Sequence, residues 1–174
     1  NQDEEIKFDE DLLEENSEIV GICSVKYFDL KQNRVSNYKF DYDTILDPKG
    51  DTGCYLLYMY ARIQSIFIKG GYSKEDVQKL ALTERIHITS PQEWDLALMI
   101  LRLPEYIDGV FFDLQINKIC FMLYDISCRI GAFYKVNKDL GSPEEKSRIL
   151  LLEATRVCMK KVFDLLGMKT LDRL

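Results

Sequence analysis

Histidine, the most versatile acid–base side chain near neutral pH, is scarce in this chain. His87 is the only histidine among 174 residues, which removes most His-based acid–base or triad chemistry. The cysteines Cys23, Cys54, Cys120, Cys128 and Cys158 are odd in number, form no C-x-x-C pair and mostly sit in apolar runs. Thiols so placed read as small buried side chains in a reducing compartment. A zinc site is disfavoured, because its ligand spacing and partner histidines are missing. The basic residues offer the other chemistry. Lys146, Arg156, Lys160 and Lys161 fall on one predicted helix and could line a phosphate-facing side, or simply a solvated one. Arg62 stands in an otherwise apolar stretch, where a buried or interdomain ion pair is the preferred reading and RNA contact the alternative. Trp94, near a helix start, reads as core.

The formal net charge of −6 argues against a polyanion as partner until its distribution is considered. Residues 1–50 hold 6 Lys and Arg against 13 Asp and Glu, whereas residues 51–174 hold 17 against 16. The acidity belongs to the front segment, and the nearly neutral remainder can still present a local basic face. The chain is 47% hydrophobic and 30% charged, as expected of a globular domain and not of a disordered one. It has no run of 18 apolar residues to span a membrane. The acidic start, Asn1 to Glu5, resembles neither a signal nor a transit peptide. The missing initiator Met points to a piece of something longer.

Patterning predicts the elements that must position these groups. From Asp9 to about Cys23, the apolar residues Leu12, Leu13, Ile19, Val20 and Ile22 fit an amphipathic helix. Ser24 to Leu30 could continue it or form a short strand. Asn37 to Tyr42 alternates polar and aromatic residues, a strand-like period. Asp47-Pro48-Lys49-Gly50 is a turn, and a domain boundary is placed there, with residues 1–49 before it and 50–174 after it. Beyond it the sequence reads as helix throughout. Asp51 or Thr52 can cap a helix to about Lys69, stopped by Gly70-Gly71. Ser73 to Asp76 can start a short helix, and Ser90-Pro91-Gln92-Glu93 starts another as a capping box. Pro104 divides that one from a helix reaching about Leu114. A further helix covers 116–136. Ser142-Pro143-Glu144-Glu145 repeats the capping-box signature before a last helix to Leu166, closed by Gly167. The fold class is mainly α: a bundle of about five helices behind a short α/β stretch.

Three stretches carry a family resemblance. Val25-Lys26-Tyr27-Phe28-Asp29-Leu30 with Asn33-Arg34 and Tyr38-Lys39-Phe40-Asp41 resembles the A-V-K-Y-x-D-L…N-R…Y-x-F-D block near the end of the catalytic domain of arginyl-tRNA synthetases. Gly50-Asp51-Thr52-Gly53-Cys54-Tyr55-Leu56 and onward through Ala61-Arg62-Ile63 is similar to G-N-T-A-x-Y-L-x-Y-A-x-A-R-I, which opens that family's anticodon-binding domain. Asp51 and Gly53 stand where Asn and Ala are usual. Glu153-Ala154-Thr155-Arg156 and the ending Leu166-Gly167-Met168-Lys169-Thr170-Leu171-Asp172-Arg173-Leu174 resemble the D-A-L-R segment and terminus, with Leu in place of the common final Met.

The resemblance implies a class I arginine–tRNA ligase, cytoplasmic, using ATP and Mg²⁺ in the full-length protein. No H-I-G-H-like or K-M-S-K-like motif occurs here, so this stretch by itself is expected to be catalytically inactive and to need no cofactor. Its implied partner is tRNA of the arginine isoacceptors, with neither DNA nor a membrane involved. Carried over by position, the end of the penultimate long helix places Phe133 and Tyr134 near the anticodon loop, with Tyr134 as the stacking platform. The tail places Arg173 and Leu174 there, and the 70–90 segment adds Lys74. Lys160 is the further phosphate-contact candidate. Lys26, Tyr27, Asp29 and Arg34 are expected to hold the catalytic part against the bundle. An all-helical protein-interaction domain is the alternative.

Overall fold

The computed structural model describes residues 10–137 and 140–172. Expectations about residues 1–9, and those for Arg173 and Leu174, lie outside the described residues. Eight helices follow one another in the described chain: α1 (Glu10–Leu30), α2 (Tyr42–Ile45), α3 (Gly53–Lys69), α4 (Lys74–Thr83), α5 (Pro91–Leu101), α6 (Leu103–Asp113), α7 (Asn117–Val136) and α8 (Glu145–Leu165). No described helix is long and apolar enough to cross a membrane.

Local chemistry sets most boundaries. The Thr52 hydroxyl accepts from Tyr55 N–H at the start of α3. Ser73 with Asp76, and Ser90 with Glu93, close reciprocal capping boxes on α4 and α5, satisfying amide donors that a helix start otherwise leaves unpaired. After α3 and α8 the chain turns through Gly71 (φ 72°) and Gly167 (φ 64°). There Tyr72 N–H returns to Phe67 O and Met168 N–H to Phe163 O, both at 2.9 Å, the bonding that a left-handed residue after a helix permits.

The capping box expected at Ser142 does not form. Helix α8 begins at Glu145 without a side-chain cap. The Glu145 carboxylate instead accepts from Gly141 N–H and, at 2.6 Å, from the Tyr72 hydroxyl. Ser142 is engaged by Arg148. Tertiary partners outbid the local cap. The strand expected over 37–42 is likewise absent: the segment is irregular up to α2. No neighbouring strand exists among the described residues to pair its backbone. The alternation serves aromatic packing instead, with Tyr38 and Phe40 edge-on to Phe28, and Tyr42 edge-on to Phe40.

Helix α3 is central, touching α1, α7 and α8, while α5 packs on α7 and α8, α6 on α7, and α4 on α8. One core joins Leu56, Leu57, Tyr60 and Ile63 of α3 to Ile126, Ile130 and Phe133 of α7 and Met159, Val162 and Phe163 of α8. Cys23 and Tyr27 of α1 belong to the same cluster. The two unusual residues of the second block are explained here. A Cβ on Gly53 would lie 2.7 Å from Ser24 Cα, so Gly lets α1 and α3 approach more closely than Ala allows. Asp51 accepts from the Tyr27 hydroxyl at 2.6 Å and pairs with Lys31 at 3.1 Å, a charge contact that Asn could not make. Lys26 caps Gly167 O at 2.7 Å and Arg34 reaches Asp113 O, so the front segment is fastened to the bundle at both ends.

Candidate anticodon-loop interface

Helix α7 presents Phe133 and Tyr134 in opposite directions. Phe133 is fully buried in the core, in step with Ile119, Ile126 and Ile130 on the inward stripe, and so cannot stack on RNA. This corrects the expectation for that residue. Tyr134 is half-buried at the rim of an open groove of about 700 Å³ between α3 and α7, with Gln92 of α5 at its edge. The Arg62 guanidinium lies over the Tyr134 ring, 4.6 Å from its centroid. A planar cation on an aromatic face is favourable in itself. Arg62 is exposed and forms no ion pair among the described residues, which overturns the ion-pair expectation.

Tyr55 and Tyr58 line the same groove from α3, Tyr58 with about half its surface (48%) exposed. Tyr55 packs edge-on against Tyr124. Burial raises the Tyr55 phenol above its ordinary value, and its hydrogen bond with Cys128, with burial second, pushes Tyr124 up to about 12. Both rings are therefore neutral near pH 7 and offer π-faces and O–H donors. Lys135 supplies a second cation, and no lining residue is acidic. In a chain of net charge −6, that is a favourable setting for phosphate. The groove can hold unstacked bases against aromatic and guanidinium planes while two cations meet the backbone, which is how single-stranded loops are bound.

The remaining candidates lie elsewhere. Lys74, exposed in the first turn of α4, borders a separate pocket of about 380 Å³ with Tyr72, Arg156 and Asp172. The tail reaches that pocket: Leu171 is buried, and Asp172 accepts from Gln64 at 3.0 Å. Lys160 pairs with Asp164 and faces Glu15 and Ile19 of α1. Lys146 pairs with Glu84, and Arg156 is fixed by Glu153 and the Tyr60 hydroxyl. Lys146, Arg156 and Lys160 are thus each engaged in a separate pair, while Lys161 is exposed. Trp94 is exposed, not core, because Glu93 takes the inward position. There Glu93 bonds Arg148 at 2.7 Å and the Thr89 and Ser90 amides, while Arg148 also bonds Asn137 at the end of α7. Sequence reading missed Tyr55 and Tyr58 as groove walls, since in a helix apolar on most sides they pass for core.

The protein is thus a helical bundle with an aromatic, cationic groove between two of its helices. A family model described as DALR anticodon binding domain matches residues 56–174, and the chain belongs to that family. Its relatives include the chloroplastic/mitochondrial arginine–tRNA ligase of Arabidopsis thaliana, 42% identical over 155 residues, covering 89% of this chain and 24% of the relative. The cytoplasmic arginine–tRNA ligase of Xenopus tropicalis is 36% identical over 173 residues, covering 95% and 26%. The crystal structure of Plasmodium falciparum arginyl-tRNA synthetase superposes with a TM-score of 0.81 at 39% identity, covering 92% of this chain and 28% of that one. The chain spans about a quarter of the length of these relatives.

Proposed function

We propose that this chain is the part of a cytoplasmic arginine–tRNA ligase that binds the anticodon arm of its tRNA, with the loop bases held in the Arg62–Tyr134 groove. The observation that carries the reading is the guanidinium–ring stack in a groove that Tyr55 and Tyr58 also line, with two cations and no carboxylate. Family membership and the names of the relatives support tRNA as the ligand. Lys74, with Arg173 and Leu174 of the tail, is proposed as a second contact region, and Lys160 is not retained. The division between the anticodon-binding module and the preceding catalytic part is proposed at residues 47–50. Ligation of arginine, with its need for ATP and Mg²⁺, is proposed for a longer polypeptide that contains this chain, and this chain alone makes no arginyl-adenylate.

Binding of an arginine-isoacceptor anticodon stem-loop, followed by fluorescence anisotropy at several salt concentrations, tests the reading. Stacking of one base is worth about 1–3 kcal/mol, so Tyr134→Ala and Arg62→Ala should each weaken binding roughly 5- to 150-fold. Equal affinity for unrelated RNAs, indifferent to both substitutions and to salt, would overturn it and favour a protein-interaction role. Pyrophosphate exchange above background would refute the statement about catalysis.

A further inference from the structure

Tyr55 and Tyr58 wall not one groove but two. On their other side lies an open groove of about 680 Å³, lined also by Val20, Cys54, Tyr124 and the turn Pro48 to Gly50. It carries one cation, Lys49, and again no acidic lining residue. Asp51, beside the turn, is already engaged by Lys31 and the Tyr27 hydroxyl. The two grooves together therefore present Lys49, Arg62 and Lys135, and no carboxylate, on a chain with 29 acidic residues.

The length of the track also matters. Tyr124 and Tyr134 both lie on α7, ten residues apart, which is about 15 Å along a helix. Bases stacked in a helix are only about 3.4 Å apart, so one base cannot occupy both grooves, whereas a loop strand can. We propose that the second groove receives loop nucleotides flanking those held at Tyr134. The strand crosses the Tyr55–Tyr58 ridge, a base packs against Tyr124, and Lys49 meets a phosphate. The proposal rests on the tRNA-binding reading above. Continuity with the first groove and the shared charge pattern favour RNA over an apolar peptide, which the mostly apolar lining could otherwise accept.

The test places 2-aminopurine at successive loop positions of the anticodon stem-loop and titrates each RNA with the whole chain, since stacking quenches this base. Wild-type protein is expected to quench probes at two separated sets of positions. Tyr124→Ala should release the quench only at the flanking set and weaken binding roughly 5- to 150-fold, the range of one base stack, with Tyr124→Phe close to wild type. Lys49→Ala, on an exposed turn, should leave the melting temperature unchanged and reduce the slope of log affinity against log salt by about 0.7, one phosphate on a single strand. Quenching at one set only, or Tyr124→Ala and Lys49→Ala both binding like wild type while Tyr134→Ala binds weakly, would overturn the second groove and leave the first reading standing. Loss of every effect, Tyr134→Ala included, would overturn both. Should Tyr124→Ala fail to fold, the wild-type quench pattern and Lys49→Ala decide.

Discussion

Replacing Glu93 by alanine probes the polar knot that ties the start of α5 to the start of α8 and the end of α7. Glu93 is 1% exposed and its partner Arg148 10% exposed, at 2.7 Å. Removing one member of a buried ion pair costs about 3–5 kcal/mol, because the remaining charge stays desolvated. Glu144, 3.7 Å from the same guanidinium, takes up part of that cost, while losing the acceptor for Thr89 and Ser90 adds about 1 kcal/mol. The expected net is about 4 kcal/mol. At roughly 2–4 °C per kcal/mol for a chain of this size, the melting temperature should fall by about 8–16 °C, read by circular dichroism with urea titrations alongside. Glu93→Leu combined with Arg148→Met should recover much of the loss, since a packed apolar pair replaces the ionic one. The pH dependence has a definite sign. Burial works to raise the Glu93 pKa, but the Arg148 guanidinium and the Thr89 and Ser90 donors outweigh it and hold it below the ordinary 4.5. A depressed carboxylate contributes stability that is full above pH 4.5 and fades as pH falls through the lower native value. The alanine variant should therefore lose less stability than wild type over that acid range. A loss under about 1 kcal/mol, with wild-type acid sensitivity, would refute the reasoning.

Gly53→Ala should destabilise by about 1–3 kcal/mol, the usual cost of overpacking, because its methyl would meet Ser24 Cα at 2.7 Å; chemical denaturation of the purified variant measures it. Phe133→Ala should cost about 3–5 kcal/mol as a core truncation, while Trp94→Ala should change stability by no more than about 0.5 kcal/mol as a surface change. The reverse order in paired melts would contradict the burial of these two rings.

Helix starts and stops were legible wherever chemistry local in sequence decides them: Thr52, Ser73 and Ser90 cap as their spacing predicts, and Gly71 and Gly167 close. Ser142 shows where that logic ends. Its box is intact in sequence, yet Tyr72 and Arg148, 73 and 6 residues away from their respective partners, claim Glu145 and Ser142. Phe133 could have been placed inward from the spacing of Ile119, Ile126 and Ile130 alone. Tyr134 was legible only through resemblance. Arg62 stood out in the sequence, but its stacking on Tyr134 was not legible, because the two lie more than seventy residues apart and meet only once α3 packs on α7. The aromatic alternation at 38–42 shows that a period of two reports which side residues occupy, not whether a second strand exists to complete a sheet.

The turn at residues 47–50 divides two stretches of sequence but not two cores. Tyr27 is fully buried, and its hydroxyl also donates to Cys120 O at 3.1 Å, while Cys23 donates to Lys169 O near the carboxy-terminal end. A polypeptide begun at Asp51 would open a phenol-sized hole beside α3 and α7 and strip the tail of its backing. Anyone trimming the protein to its helical bundle should therefore cut upstream of α1, leaving the acidic helix in place as a structural buttress.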